Sequence, residues 1–238
     1  MSGNKEEGVV AEFQKGLVTL IGGVDEAGVG CLAGPLVAVC LILPVPMLIT
    51  RISEVPLIKE WWPLAGVMDS KLTTESYRKQ FQKELVNWID HVGGGVGVGV
   101  APVSMFNESG HRFAQDFATG EAVRKASEDS GHRPAFLVVD GDRGVNGYPG
   151  LQRIEPKADA NYFPVAAASM LAKIIRDAEM MNLDRDYPQY GWAFSKGYPT
   201  RDHRDALLRY GLSPQHREKP CNTVLHKHKD PPRRGKGW

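Results

Sequence analysis

"VTLIGGVDEAGVGCLAGP", residues 18–35, sets two adjacent acids at the end of an apolar run and follows them with glycine after glycine. Residues 18–24 read as a buried strand, because β-branched and aliphatic side chains dominate. A strand of that kind ordinarily leaves the core through a neutral turn. Asp25-Glu26 is a costly pair to place there unless something cationic shares the site. Gly28, Gly30 and Gly34 leave bare backbone beside the acids, through which main-chain N–H groups can approach a sugar–phosphate chain. Their spacing fits neither a Walker loop nor a dinucleotide fingerprint.

Working outward, "LVAVCLIL" (36–43) is long and apolar enough for a strand buried on both faces. Residues 50–68 form an irregular excursion with two prolines and a Trp pair. "TTESYRKQFQKELVNWID" (73–90) spaces Tyr77, Phe81, Leu85 and Trp88 as a helix does, with Thr74 and Ser76 as candidate caps. "GGGVGVGVAPV" alternates Gly with Val, so it predicts a strand with one apolar face and one bare face, open either to close packing by a neighbouring element, the favoured reading, or to the approach of a ligand. Residues 110–129 read as a helix interrupted near Gly120, and "PAFLVVDGD" (134–142) as a short buried strand ending in acids. "RIEPK" is a candidate fifth strand, and residues 163–184 are the clearest helix, with Pro164 in its first turn. Strands followed by alternating strand and helix predict an α/β domain on a mixed sheet.

The 238 residues, 42% hydrophobic and 24% charged, suffice for a substantial core. A net charge of +1 gives no global field, so nucleic-acid binding would need a local patch. Cys31, Cys40 and Cys221 lie far apart without a CxxC, which suggests neither a disulfide framework nor a zinc site. The polar, acidic start "MSGNKEEGVV" does not resemble a signal peptide, and no apolar stretch is long enough to span a membrane. A cytoplasmic location, no membrane contact and a monomeric state are the expectations. From Arg217 onward seven Lys or Arg face two acids, with three prolines, so residues 218–238 are expected to form a disordered basic tail.

Asp25 and Glu26 end one predicted strand and Asp140 another. If those strands are parallel neighbours, the acids share the sheet edge where open α/β sheets bind ligands. On the long helix, Met170, Leu171, Ile174, Ile175 and Ala178 form an apolar stripe facing the sheet. Ser169, Lys173 and Asp177 fall on one row beside it, so Asp177 either pairs with Lys173 at the surface or reaches the acidic edge. Three or four carboxylate oxygens without His or Cys suit Mg²⁺ or Mn²⁺ rather than zinc. Paired ions of that kind stabilise both oxygens of a phosphoryl displacement.

These residues resemble a known family. "GVDEAGVGCLAGPLVA", "DSKLT", "LVVDGD", "KADANYFPVAAASMLAKIIRD" and "YPQYGWAFSKGYPTRDH…HR" occur in the order and approximate spacing of type 2 ribonuclease H. The resemblance covers about residues 18–217 and implies a ribonuclease H-like five-stranded mixed sheet flanked by helices, with a small helical C-terminal part from about 182. Residues 1–17 then form an N-terminal segment. The implied activity is cleavage of the RNA strand of RNA–DNA hybrids, and nicking 5′ to ribonucleotides embedded in duplex DNA. The motif positions imply Asp25, Glu26, Asp140 and Asp177 as metal-binding carboxylates holding two Mg²⁺ or Mn²⁺ ions. They also imply Ser70 and Lys71 at a phosphate near the cut, and Tyr198, beside Lys196, stacked on the ribose of the RNA–DNA junction. An aromatic flanked by a cation suits such stacking.

The chain departs from the family pattern at several points. Gly28-Val29-Gly30 replaces the usual Gly-Arg-Gly, a single Lys71 replaces Lys-Lys, Ser195 stands for His, and Ala158 for Gly. None removes an implied ligand, so hybrid cleavage is expected, with weakened recognition of a lone ribonucleotide. Scattered histidines argue against RNA transesterification, and His203 and His216 are expected in local hydrogen bonds. The alternatives are a metal-dependent DNA strand or junction nuclease on the same fold, and a hybrid-binding protein without turnover.

Overall fold

A computed structural model describes residues 18–46 and 75–229. Ser70, Lys71, the 50–68 excursion and residues 1–17 lie outside the described residues. Five strands, β1 (Val18–Ala27), β2 (Leu36–Pro46), β3 (Gly95–Ala101), β4 (Phe136–Asp140) and β5 (Leu151–Glu155), form one mixed sheet in the order β3-β2-β1-β4-β5. β1 runs antiparallel to β2 and parallel to β4, with Val24 opposite Val139. Asp25 and Asp140 therefore leave the same sheet edge side by side.

β2 is buried on both faces. Val37, Val39, Leu41 and Leu43 join one core, while Leu36, Ala38, Cys40 and Ile42 join the other. The first core is covered by α1 (Glu75–His91) and α3 (Phe163–Asp186), the second by α2 (Val103–Asp129). The bare face of β3 meets α2 directly: a Cβ on Gly97 or Gly99 would overlap the carbonyl of Ala122 or Ala118. On β1, Gly23 plays the same part, because a Cβ there would overlap the Pro164–Val165 backbone at the start of α3. None of the helices among the described residues is long and apolar enough to cross a membrane.

Three expectations are corrected. α2 runs unbroken through Gly120, and its kink lies at Gly110, where φ 87° and ψ 168° leave the helical region. Gly120 keeps helical angles, since a single glycine weakens a helix by only about 1 kcal/mol and packing offsets that. The segment expected to be disordered from 218 instead begins as a helix, α6 (Glu218–Lys229). Its apolar residues are few but fall on one face: Cys221, Val224 and Leu225 pack against Leu32 and against Leu207 of α5 (Arg201–Tyr210). Along α3 the buried stripe is offset from the expected one. Met170 and Leu171 are buried and Ile174 and Ile175 partly so, but Ala178 is exposed, and burial continues through Arg176 and Met180.

Two glycine changes with opposite signs test the packing. Gly99→Ala should lose about 1–3 kcal/mol in urea unfolding, because its methyl must displace backbone. Gly120→Ala, with no atom within 4 Å of the added Cβ, should gain up to about 1 kcal/mol.

Candidate active site

Successive strand residues point to opposite faces, and this divides the acid pair. Asp25 faces α3, where the Ser169 side chain hydrogen-bonds it and the Glu26 amide donates to its Oδ1 at 2.6 Å. Glu26 faces α2, where Gln115 Nε2 donates to both carboxylate oxygens at 3.1 and 2.9 Å. Asp140 ends β4 on the α3 side and accepts the Ala158 amide at 2.7 Å. Ala158 opens a short 3-10 helix (Ala158–Ala160) just before α3, and this turn carries Asp159.

Burial dominates the protonation of the group. It pushes Asp25 up to about 7, opposed by the Ser169 and Glu26 hydrogen bonds and helped by the charges of Asp140 and Asp159. Glu26 also rises to about 7 by burial, opposed by Gln115, while Asp25 and Asp140 raise it and Arg143 lowers it. Asp140 is raised by burial, with Asp159 adding to the rise and the Ala158 amide opposing it. Arg143 is itself held by Asp116 at 3.1 Å.

Asp25, Glu26 and Asp140 act on one another's charge at the shared strand ends, and the charge of Asp159 acts on Asp25 and Asp140. Asp177 lies two helical turns beyond Ser169, about 12 Å along the axis at 1.5 Å per residue. It pairs with Lys173 Nζ at 2.6 Å, and its charge acts on Tyr198. Of the two alternatives offered by the helix row, the pair with Lys173 is the one the structure shows. Asp159 and Gln115 were missed in the sequence. The acid of "KADANY" lies in a turn between β5 and α3, where periodicity carries no information, and Gln115 is marked only by its place on α2.

The glycine turn is only partly open. Gly28 (φ 94°) and Gly34 (φ 82°) are required by the chain itself, since a Cβ at either would overlap Arg176 or Met180. Gly30 alone faces open space, beside the exposed Val29. Tyr198 is half-exposed, with Lys173 Nζ 5.9 Å and Arg176 Cζ 5.7 Å from its ring centre. It follows α4 (Trp192–Ser195), and Lys196 beside it takes left-handed angles (φ 49°). His203 and His216 are buried in a local network, as expected. Trp192 Nε1 donates to His203 Nε2 at 2.9 Å, and the facing His203 and His216 Nε2 atoms are 3.2 Å apart. His203 Nδ1 reaches the Tyr198 carbonyl at 2.9 Å.

No three His, Cys, Asp or Glu side chains among the described residues already converge as a metal cage. Asp25, Glu26 and Asp140 each take a protein donor instead, as expected of like charges without a counter-ion. The donor set is nonetheless all oxygen, partly buried and mutually repelling, which fits a hard divalent cation.

The family model for ribonuclease HII matches residues 22–223. The chain belongs to the ribonuclease HII family. It is 35% identical over 201 residues to ribonuclease HII of Salinibacter ruber, covering 83% of this chain and 89% of that one. It is 37% identical over 210 residues to the Geobacillus kaustophilus protein, covering 87% and 71%. Its fold is similar to that of ribonuclease H2 from Pyrococcus horikoshii, with TM-score 0.65 and 23% identity over 89% of this chain and 100% of that one. A Bst ribonuclease HIII solved with Mn²⁺ gives 0.62 and 20% identity, over 89% and 70%. The chain is a ribonuclease H, an endoribonuclease acting on RNA–DNA hybrids. As in its family, a divalent metal is required.

The acid cluster makes a pH prediction. Asp25 and Glu26 bind protons more tightly folded than unfolded, so metal-free stability is highest below about pH 4 from these groups and falls as pH rises through about 7. His216, lowered to about 4 by burial, drives the opposite trend on the acid side. The readout is therefore the difference in melting temperature between the chain and Asp25→Asn in EDTA. The variant should gain on the parent between pH 5 and 8, and Mg²⁺ should raise the parent selectively at pH 8.

Proposed function

We propose that the chain cuts hybrid RNA, and nicks 5′ to ribonucleotides embedded in duplex DNA, with Asp25, Glu26, Asp140 and Asp159 holding the divalent ions. The observation that carries this reading is the register that ends β1 and β4 side by side, with the turn bearing Asp159 hydrogen-bonded to Asp140 through the Ala158 amide. Mg²⁺ or Mn²⁺ ions bound there would supply an ionised water and a Lewis acid for the departing 3′ oxygen, leaving 5′-phosphate and 3′-hydroxyl ends. Ser169 and Gln115 keep Asp25 and Glu26 on their two faces of the sheet. Asp177 stays with Lys173 on the flank and steadies the surroundings of Tyr198, a departure from the ligand role its motif position implied. Tyr198 offers a ring to the ribose at the junction, and the Gly28, Val29 and Gly30 amides, which make no loop bond to described residues, are available to its sugar–phosphate backbone. Lys196, and Ser70 with Lys71 outside the described residues, would add phosphate contacts. A cytoplasmic monomer is the matching setting.

Cleavage of a labelled hybrid, and of a duplex carrying one ribonucleotide, in Mg²⁺ and in Mn²⁺ tests the assignment. Asp140→Asn and Asp159→Asn should abolish both cuts, whereas Asp177→Asn should retain measurable turnover. If Asp177→Asn is the dead variant and Asp159→Asn is active, the fourth ligand is misassigned. Cleavage of all-DNA duplex would point to a DNA strand nuclease instead.

Val29 bears on the second substrate. It cannot make a charge-assisted phosphate contact, worth roughly 1.5–3 kcal/mol. Nicking at a lone ribonucleotide should therefore lag hybrid cleavage, and Val29→Arg should narrow the ratio of the two kcat/KM values by about tenfold or more. An unchanged ratio would make the side chain at 29 irrelevant.

A further inference from the structure

Two fully buried arginines meet behind the glycine turn, and neither has a carboxylate partner among the described residues. Arg217 Nε and Nη2 donate to the Gly34 carbonyl at 3.1 and 2.9 Å, and its Nη1 donates to the Val29 carbonyl at 3.0 Å. The plane of one guanidinium thus spans the turn from one end to the other. Arg176 donates to the carbonyls of Pro35, Ala33 and Lys196 at 3.0, 3.2 and 2.8 Å. That last bond ties the turn to the loop of Tyr198.

Side-chain packing does not hold the turn on its outer side. A cleft of about 340 Å³ opens there, lined by Val29, Gly30, Cys31, Phe106, His111 and Arg217 among others. The Phe106 ring supports the Arg217 guanidinium from this cleft, with Cζ 3.9 Å from the ring centre. Burial lowers Arg217 only to about 10, so it stays charged at neutral pH. With no carboxylate partner among the described residues, both charges leave the turn at positive potential, which favours an anionic sugar–phosphate against its free amides.

We propose that Arg217 is a positioning residue for substrate choice: by fixing the Val29 carbonyl inward it turns the Gly30 N–H of the same peptide unit outward at the ribose of a lone ribonucleotide, and its hold on the Gly34 carbonyl closes the far end of the turn. This rests on the proposed meeting of that turn with the junction. A continuous hybrid shares its binding over many contacts and depends less on this one.

Arg217→Lys keeps the charge but cannot bridge two carbonyls. It should raise KM on the single-ribonucleotide duplex about tenfold, several times more than on hybrid, with a smaller change in kcat. Amide hydrogen exchange across residues 28–35 should quicken, while that of residues 136–140 should not. Phe106→Leu, which keeps the guanidinium and removes only its support, should give the same pattern at smaller amplitude and serves if Arg217→Lys does not fold. Equal losses on both substrates, or unchanged exchange across 28–35, overturns the proposal. Failure of the unaltered chain to cut either substrate would count against the proposed function, and the exchange rates would still decide whether Arg217 holds the turn.

Discussion

The absence of a side chain at Gly23 sets the distance between β1 and α3, and the acidic edge of the sheet depends on that distance. With the Pro164–Val165 backbone seated on the strand at that point, α3 is fixed in both height and rotation. Its next turns then fall into place. Ser169 stands over Asp25, the Ala158–Ala160 turn presses its amide and Asp159 toward Asp140, and Arg176 arrives under Gly28. A bulkier strand residue would move all of these together, because protein interiors are packed too densely to absorb a displaced helix locally.

The acids at that edge are held against their own preference. Three partly buried carboxylates at adjoining strand ends, with a fourth nearby, cannot all ionise cheaply, and the rise of Asp25 and Glu26 to about 7 expresses that cost. The alternation of the strand limits it by placing Asp25 and Glu26 on opposite faces, each with its own neutral donor. Ser169 and Gln115 therefore do more than fill space. They keep two carboxylates aimed while no cation is present, a form of preorganisation in which stability is given up for a site ready to bind metal.

Much of this was legible in the sequence because periodicity reports burial. The two-faced β2, the bare face of β3, the fifth strand and the long helix all follow from residue patterns, as does the placing of Asp25 and Asp140 at one edge. What escaped has other causes. Gly110 and Gly120 are indistinguishable as letters, and only the backbone angles show which one leaves the helix. The α6 segment looks disordered by composition, yet Cys221, Val224 and Leu225 are spaced to pack as one face once Leu32 and Leu207 are brought to it by distant chain. Asp159 sits in a turn, where neither helical nor strand period applies. The glycines of the turn were read as room for a ligand, but at Gly28 and Gly34 that room is taken by Arg176 and Met180.

That last substitution of protein for ligand explains how opposite charges coexist a few residues apart. Asp25 and Glu26 end the strand as an anionic edge, and the chain then passes at once over two guanidiniums whose hydrogen bonds among the described residues all go to backbone carbonyls. Direct pairing of those arginines with the acids would neutralise both, and would leave neither a place for a divalent cation nor a field for a phosphate. By spending the guanidinium donors on backbone carbonyls, the fold keeps the two charges apart across a single turn. On the proposed placement, a phosphodiester laid over that turn would meet free amides and positive potential at one end, and the carboxylates at the other. Its polarity along the site would then be set by main-chain geometry, before any side chain at position 29 takes part.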